Sequence, residues 1–182
     1  MLDACAALVD EQGYDGLTTT LLAERAGVAI GSIYQFFPDK RAVVAALTMR
    51  NLETYLARIG GRFTEGNLAH WWQGVDAVID EYVAMQRDTP GFRGLHFGDI
   101  VDPHLLDPEL DNNAVIVSKL RDLLVERFAV AEPRLDFALT IAVETGDALI
   151  KLAFRRSPTG DPAVIAEAKS LIRRYLAEYV TG

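Results

Sequence analysis

One stretch constrains this chain more than any other: Thr18–Lys40, TTTLLAERAGVAIGSIYQFFPDK. It reads as two short helices joined by a tight turn. Leu21, Leu22, Ala23 and Ala26 supply the apolar positions of the first helix. Ala23 is small enough to let a second helix approach closely. Gly27 follows, where a left-handed backbone costs little without a Cβ. Val28 is expected to plug the turn. Ile30 to Phe37 form the second helix, with Ile33 and either Phe36 or Phe37 facing inward, and Pro38 stops it. Two helices around a short glycine-containing turn make a helix-turn-helix, a pattern whose second helix enters the major groove of DNA.

The rest of the chain is helical in pattern. Residues 2–12 place Leu2, Ala6 and Val9 on one line with Cys5 and Leu8 beside it, and Gly13 ends that helix. Thr18 is the expected N-cap of the next helix and Asp39 that of the fourth. From Asp39 to Phe63 the apolar residues Ala45, Met49, Leu52, Leu56, Ile59 and Phe63 recur at spacings of three and four. Such a helix is about 30 Å long and can serve as a lever between the first domain and the C-terminal helices. Gly60-Gly61 are expected to loosen its end. A fifth helix runs from Leu68 through Trp71 or Trp72, Val75, Tyr82 and Met85 to Pro90-Gly91. Phe92, Leu95 and Phe97 follow in a brief helix or ordered loop. Asp102-Pro103, Asp107-Pro108, Glu132-Pro133 and Asp161-Pro162 each read as an acidic cap before proline at the first helical position. No stretch keeps period-two alternation, so the expected fold is all-α, about nine helices. The expected division is a three-helix helix-turn-helix domain, 1–48, followed by a helical domain, 49–182.

Composition narrows the class. Half of the 182 residues are apolar and 24% are charged, as in a globular chain. No apolar run is long enough to span a membrane. The N-terminus, MLDACAALVDEQGY, lacks the basic head of a secretory signal. The single cysteine, Cys5, excludes an internal disulfide framework and fits a reducing cytoplasm. The net charge of −8 runs against the basic footprint expected of a DNA binder, and the first 50 residues carry four basic side chains against six acidic ones. The DNA reading therefore needs its few cations and helix N-termini turned toward phosphates.

The segment LDACAALVDEQGYDGLTTTLLAERAGVAIGSIYQFFPDKRAVVAAL resembles the N-terminal domain of the tetracycline-repressor (TetR) family. The marks are Gly13-Tyr14-Asp15, the Thr18 cap, Leu22-Ala23 to Gly27-Val28, Gly31-Ser32-Ile33-Tyr34 and Phe37-Pro38-Asp39-Lys40. Two positions depart from the pattern. Ala29 stands where many relatives carry Ser or Thr, and Ile30 where a basic residue is frequent. The resemblance implies a homodimeric cytoplasmic transcription regulator, usually a repressor, rather than an enzyme. It also implies a C-terminal domain that binds a small effector and dimerises through its last two long helices, here 133–156 and 162–180. The first of these has two apolar stripes, as expected of a helix buried on two faces.

On this reading Tyr34 and Lys40 contact phosphates, and Thr18 and Thr19 offer hydroxyls or backbone N–H groups to the opposite strand. Gln35 is the main base reader, because its amide can bond adenine N6 and N7 together. Ile30 can meet a thymine methyl, Ser32 a base edge, and Gly31 permits close approach. Trp72, Tyr82, Met85, Phe92, Phe97 and Phe128 are the candidate lining of a largely apolar effector cavity. His96 and His104 flank Asp99 and Asp102 without metal-ligand spacing, so no metal or cofactor is expected. Asp136, Thr140, Glu144, Asp147, Lys151 and Arg155 form a polar stripe that reads as a solvated helix face. An all-α enzyme is the rival from another class, yet neither a Ser-His-Asp spacing nor a Gly-rich phosphate loop is present. The remaining alternative is a helical interaction or ligand-binding module that has lost DNA binding.

Overall fold

The computed structural model describes residues 1–66, 68–95, 112–130 and 133–180. Among the described residues all regular structure is helical, in eight helices. They are α1 (Leu2–Gly16), α2 (Thr19–Ala26), α3 (Ile30–Phe36), α4 (Lys40–Glu65), α5 (Trp71–Asp88), α6 (Asn112–Phe128), α7 (Leu135–Arg156) and α8 (Pro162–Leu176). The segment from Phe92, expected as a brief helix or ordered loop, is a run of turns as far as Leu95. Phe97 and the Asp-Pro signals at 102 and 107 lie outside the described residues.

The helices form two compact units. The first takes Met1–Thr54 and, among described residues, 85–95; the second takes Tyr55–Ala84 and 112–180. The first unit closes around Cys5, Leu8, Leu22, Ile33, Val43 and Leu47, all 2% exposed or less. Its local signals act as the sequence predicts. The Thr18 hydroxyl accepts the Leu21 N–H at 3.2 Å, Gly27 takes φ 66° and ψ 32°, and the Asp39 carboxylate accepts the Ala42 N–H at 2.9 Å. Gly13, at φ 70°, breaks the helical backbone within α1, which resumes as far as Gly16.

Residues 85–95 belong to this same unit because the chain after α5 seats on α1. Gly91, at φ +74°, brings its backbone so close that an added Cβ would lie 2.8 Å from Ala6 Cα. Its N–H donates to the Asp10 carboxylate at 2.8 Å. Phe92 and Leu95 are sealed from solvent.

Three expectations change. The buried line of α4 begins at Val43, Val44 and Leu47, whereas Ala45 and Met49 are exposed. The three-and-four spacing is satisfied by either line there, and only the neighbouring helices decide between them. Gly60-Gly61 do not end α4, which continues to Glu65 with the Thr64 hydroxyl bonded to the Gly60 carbonyl at 3.0 Å. Val28 is 37% exposed and does not plug the turn, which is closed by the Val28 N–H donating to the Ala23 carbonyl at 3.0 Å.

In the second unit α7 packs on α6 and on α8. Gly146 allows the close α7–α8 approach, since a Cβ there would meet Ile172 Cδ1 at 3.3 Å. Asp161 caps α8 as predicted, accepting from Ala163 N–H at 2.9 Å and from Arg156 Nε at 2.7 Å. The Arg156 bond first, and then the Ala163 amide, hold its carboxyl below the usual carboxylate range. Glu132, the cap expected before α7, lies outside the described residues; Pro133 and Arg134 are in a turn, and the helix begins at Leu135 with no cap bond from the Arg134 side chain.

Candidate nucleic-acid interface

The recognition helix α3 has seven residues, and one of them, Ile33, is buried. That single anchor decides which groups face out. Ile30 is 45% exposed and Tyr34 52%; Gly31 and Gln35 are exposed, and Ser32 is half-buried. A Cβ at Gly31 would meet nothing within 4 Å, so close approach by a partner is open there. Of the two phenylalanines, Phe37 turns inward against the core and Phe36 is 69% exposed. Helical spacing from Ile33 admits either. The chain leaves the helix at Phe37, whose extended backbone (φ −135°) decides between them. Phe36 is thus an outward aromatic that helical periodicity alone does not identify.

The structure brings Thr19 and Tyr34 together, with 3.1 Å between their oxygens. This bond ties the start of α2 to the outer face of α3. Thr18 is exposed beside it, its hydroxyl already engaged by the cap. As at any helix start, the first-turn N–H groups of α2 carry the positive end of the helix dipole. Lys40 stands differently from a free phosphate-binding cation. Its ammonium donates to the carbonyls of Tyr14 and Leu17 at 3.3 Å each and lies 4.4 Å from the Tyr14 ring centroid. It clamps the turn before α2, and its charge sits beside that helix start.

Four of the acids of this unit are engaged inside it. Arg25 and Glu11 form a two-pronged pair at 2.8 and 2.6 Å. That hydrogen bond is the main cause both of Glu11's lowered pKa and of Arg25's raised one. Asp3 holds Arg50 at 2.6 Å, Asp10 holds the Gly91 N–H, and Asp39 caps α4. These acids serve internal bonds.

The six candidate effector residues do not share one environment. Met85 and Phe92 are fully buried in the first unit. Tyr82 (7% exposed), half-buried Phe128 and Trp72 are in the second, and Phe97 lies outside the described residues. Trp72 is 38% exposed, stacks on His70 and lines an open groove with Arg173 and Arg174, so it is not interior lining. Phe128 meets Phe63 edge-on at 6.4 Å. The residues His96, Asp99, Asp102 and His104 are outside the described set; among the described residues no His/Cys/Asp/Glu group could hold a metal.

The polar stripe of α7 also departs from the solvated face expected of it. Asp136, Thr140 and Glu144 are exposed, but Asp147 and Lys151 keep only 15% side-chain exposure. Asp147 accepts from Tyr82 Oη at 2.6 Å and pairs with Lys151 at 2.8 Å, while Glu144 accepts from Asn113 at 2.7 Å. The i, i+4 pair is as expected; α5 and α6 cover part of the face that carries it.

The fold and this outward α3 face define a helix-turn-helix DNA-binding protein with a second, wholly helical unit. Residues 1–47 match the family model for bacterial regulatory proteins of the tetR family, and residues 69–180 match the tetracyclin repressor-like C-terminal domain. A crystal structure of a TetR-family transcriptional regulator from Streptomyces coelicolor is 41% identical. That match covers 98% of this chain and 96% of that one, with a TM-score of 0.84. The chain belongs to the TetR family of transcriptional regulators. It is also 38% identical over 89 residues to the transcriptional repressor KstR of Rhodococcus jostii, covering 48% of this chain and 40% of that protein. It thus spans less than half the length of the curated relatives it matches. The regulator FadR from Bacillus subtilis, solved in complex with stearoyl-CoA, shares the fold at 15% identity and a TM-score of 0.74, over 97% of this chain and 96% of that one.

Proposed function

We propose that this protein is a cytoplasmic repressor that binds a palindromic operator as a homodimer and is released by a small, largely apolar effector. The observation that carries the DNA part is the outward face of α3, where only Ile33 is committed to the core. Gln35, Ile30 and Ser32 read bases, Gly31 admits the groove wall, and Tyr34, Thr18 and Thr19 hold the backbone. Lys40 adds charge at the start of α2. Residues 1–48 form the DNA-binding domain and 49–182 the effector and dimer domain. Dimerisation uses 133–156 and 162–180, a proposal supported by Phe137 (53% exposed), Ile141 (39%) and Leu171 (39%) on α7 and α8. Two recognition helices then meet half-sites about 34–36 Å apart. The effector releases DNA by favouring a state with another spacing, and only to the extent of its differential affinity. Tyr82, Met85, Phe92, Phe97 and Phe128 remain its proposed surroundings, with Trp72 at an outer edge.

The test is titration against duplexes selected from a random-sequence library, read by fluorescence anisotropy at several salt concentrations. The expected result is dimer-stoichiometric binding to a two-fold sequence, with Gln35→Ala relaxing the preference and Lys40→Ala weakening all sequences alike. One observation favours a second reading: Arg25 and Arg50 are spent on internal ion pairs, which suits an interaction module without DNA binding. Absence of any selected sequence at low salt would establish that reading instead.

A further inference from the structure

Two ion pairs join α8 to α5 inside the second unit. Lys169 Nζ meets Asp80 at 2.6 Å, and Arg173 Nε lies 3.4 Å from Asp76. One turn forward along α8 is thus one turn back along α5, so the helices run antiparallel where they are joined. The next step of that ladder falls at Ala177 and Trp72, where no third ion pair can form. A methyl group stands where a long side chain would fill the step. The space left is an open groove of about 530 Å³ lined by Trp71, Trp72, Ser170, Arg173, Arg174 and Ala177, all of the second unit. It opens to one side of the exposed Leu171, which lies about 100° round α8 from Ser170.

Two indoles and a guanidinium dominate this groove. Trp72 is held by its stack on His70 at 5.7 Å and by Arg173, whose Cζ lies 6.0 Å from the Trp72 ring centroid. Arg173 is itself fixed through one atom. Its Nε donates to the Lys169 carbonyl at 3.3 Å and is the nitrogen that meets Asp76. Its terminal nitrogens make no hydrogen bond among the described residues, and the side chain is 37% exposed. A planar fork is therefore held in place beside an aromatic wall with its outer donors open. Arg174 is tied by Nη2 to Glu167 in an exposed pair, a kind that holds weakly in water. We propose that this groove binds an aromatic carboxylate, the carboxylate taken by the Arg173 fork and the ring laid against Trp71 and Trp72. A guanidinium matches a carboxylate with two parallel bonds, and flat indole surface suits a flat ring. Charge chooses among oxyanions. Arg173 and Arg174 are already balanced by Asp76 and Glu167, so one added negative charge is tolerated better than the two of a phosphate monoester. The site goes beyond the repressor reading, since binding here needs neither an operator nor a dimer.

The chain has two tryptophans and both line the groove, so fluorine NMR of protein labelled with 5-fluorotryptophan reads this site directly. Trp71→Phe and Trp72→Phe assign the two resonances. The probe is 2-naphthoate, compared with its neutral counterpart 2-naphthamide and with 2-naphthyl phosphate. Naphthoate is expected to shift the Trp72 resonance saturably, with a dissociation constant below about 1 mM, and to bind about five- to tenfold tighter than either comparison compound. Arg173→Gln combined with Asp76→Asn removes the cation together with its partner, and is expected to bring naphthoate down to the level of the amide. Should that double variant not fold, Arg173→Lys keeps a cation for Asp76 without the planar fork and is expected to lose most of the preference. An unshifted spectrum, equal binding of naphthoate and naphthamide, or a preference that survives these substitutions in full overturns the assignment. Tighter binding of the phosphate overturns the choice of a carboxylate.

Discussion

Gly91→Ala is the substitution whose cost the structure fixes best, because Gly27 supplies its control. Both glycines sit at positive φ, +74° and +66°. An alanine at either pays the left-handed backbone penalty, about 1–2 kcal/mol. At Gly27 that is the whole cost, since a new Cβ would meet nothing within 4 Å. At Gly91 the Cβ would sit 2.8 Å from Ala6 Cα and 3.0 Å from Ala6 Cβ. The nearer atom is α1 backbone, which cannot swing aside as a side-chain tip can. Overpacking of this kind costs about 1–3 kcal/mol more. Any retreat of the turn also stretches the 2.8 Å bond from Gly91 N–H to Asp10. The expected totals are roughly 2–5 kcal/mol for Gly91→Ala and 1–2 for Gly27→Ala. At about 2–4 °C per kcal/mol for a chain of this length, the melting temperatures should fall by roughly 4–20 °C and 2–8 °C, with Gly91→Ala lower in a side-by-side comparison. Thermal unfolding followed by circular dichroism reads this, with hydrogen exchange at residue 91 as a local check. Equal melting temperatures for the two variants would refute the close seating of residue 91 on α1.

Three further outcomes are expected. Thr18→Ala removes the α2 cap and should cost about 1 kcal/mol in urea unfolding, whereas Thr18→Ser should recover most of it. Burial raises the Cys5 thiol from 9.0 to about 11, with Arg50 and the chain's N-terminal charge acting against it. The stability linked to that proton is therefore complete below about pH 9 and lost as pH rises toward 11; the pH slope in that window should disappear in Cys5→Ala. Replacing Phe137 and Ile141 together by Glu should leave helix content unchanged and, if the proposed dimer forms through α7 and α8, shift sedimentation to the monomer.

The parts of this fold that are legible from sequence are those fixed by a few neighbouring residues. Thr18, Gly27, Asp39 and Asp161-Pro162 each punctuate a helix by local chemistry, and each acts where it is expected. Phe36 against Phe37, and Met49 against Leu47, are not decidable in that way. In both cases the periodicity admits two answers, and the choice is made by what packs from elsewhere in the chain. Asp147 illustrates the same limit at the second unit. Its i, i+4 pairing with Lys151 is local and readable, but its bond to Tyr82, 65 positions away, is not. The proposed effector lining suffers most, because an aromatic inventory does not say which residues share a core.

The one buried side chain of α3 has a consequence for how such a protein can change. A seven-residue helix without a side-chain cap has little stability of its own, so its order is borrowed from Ile33 and the inward Phe37. The exposed positions 30, 31 and 35 owe almost nothing to folding. Substitutions there can rewrite which sequence is read at little thermodynamic penalty. Specificity and foldability are thus nearly separate inheritances in this domain, and a new target can be tried without first relearning how to fold.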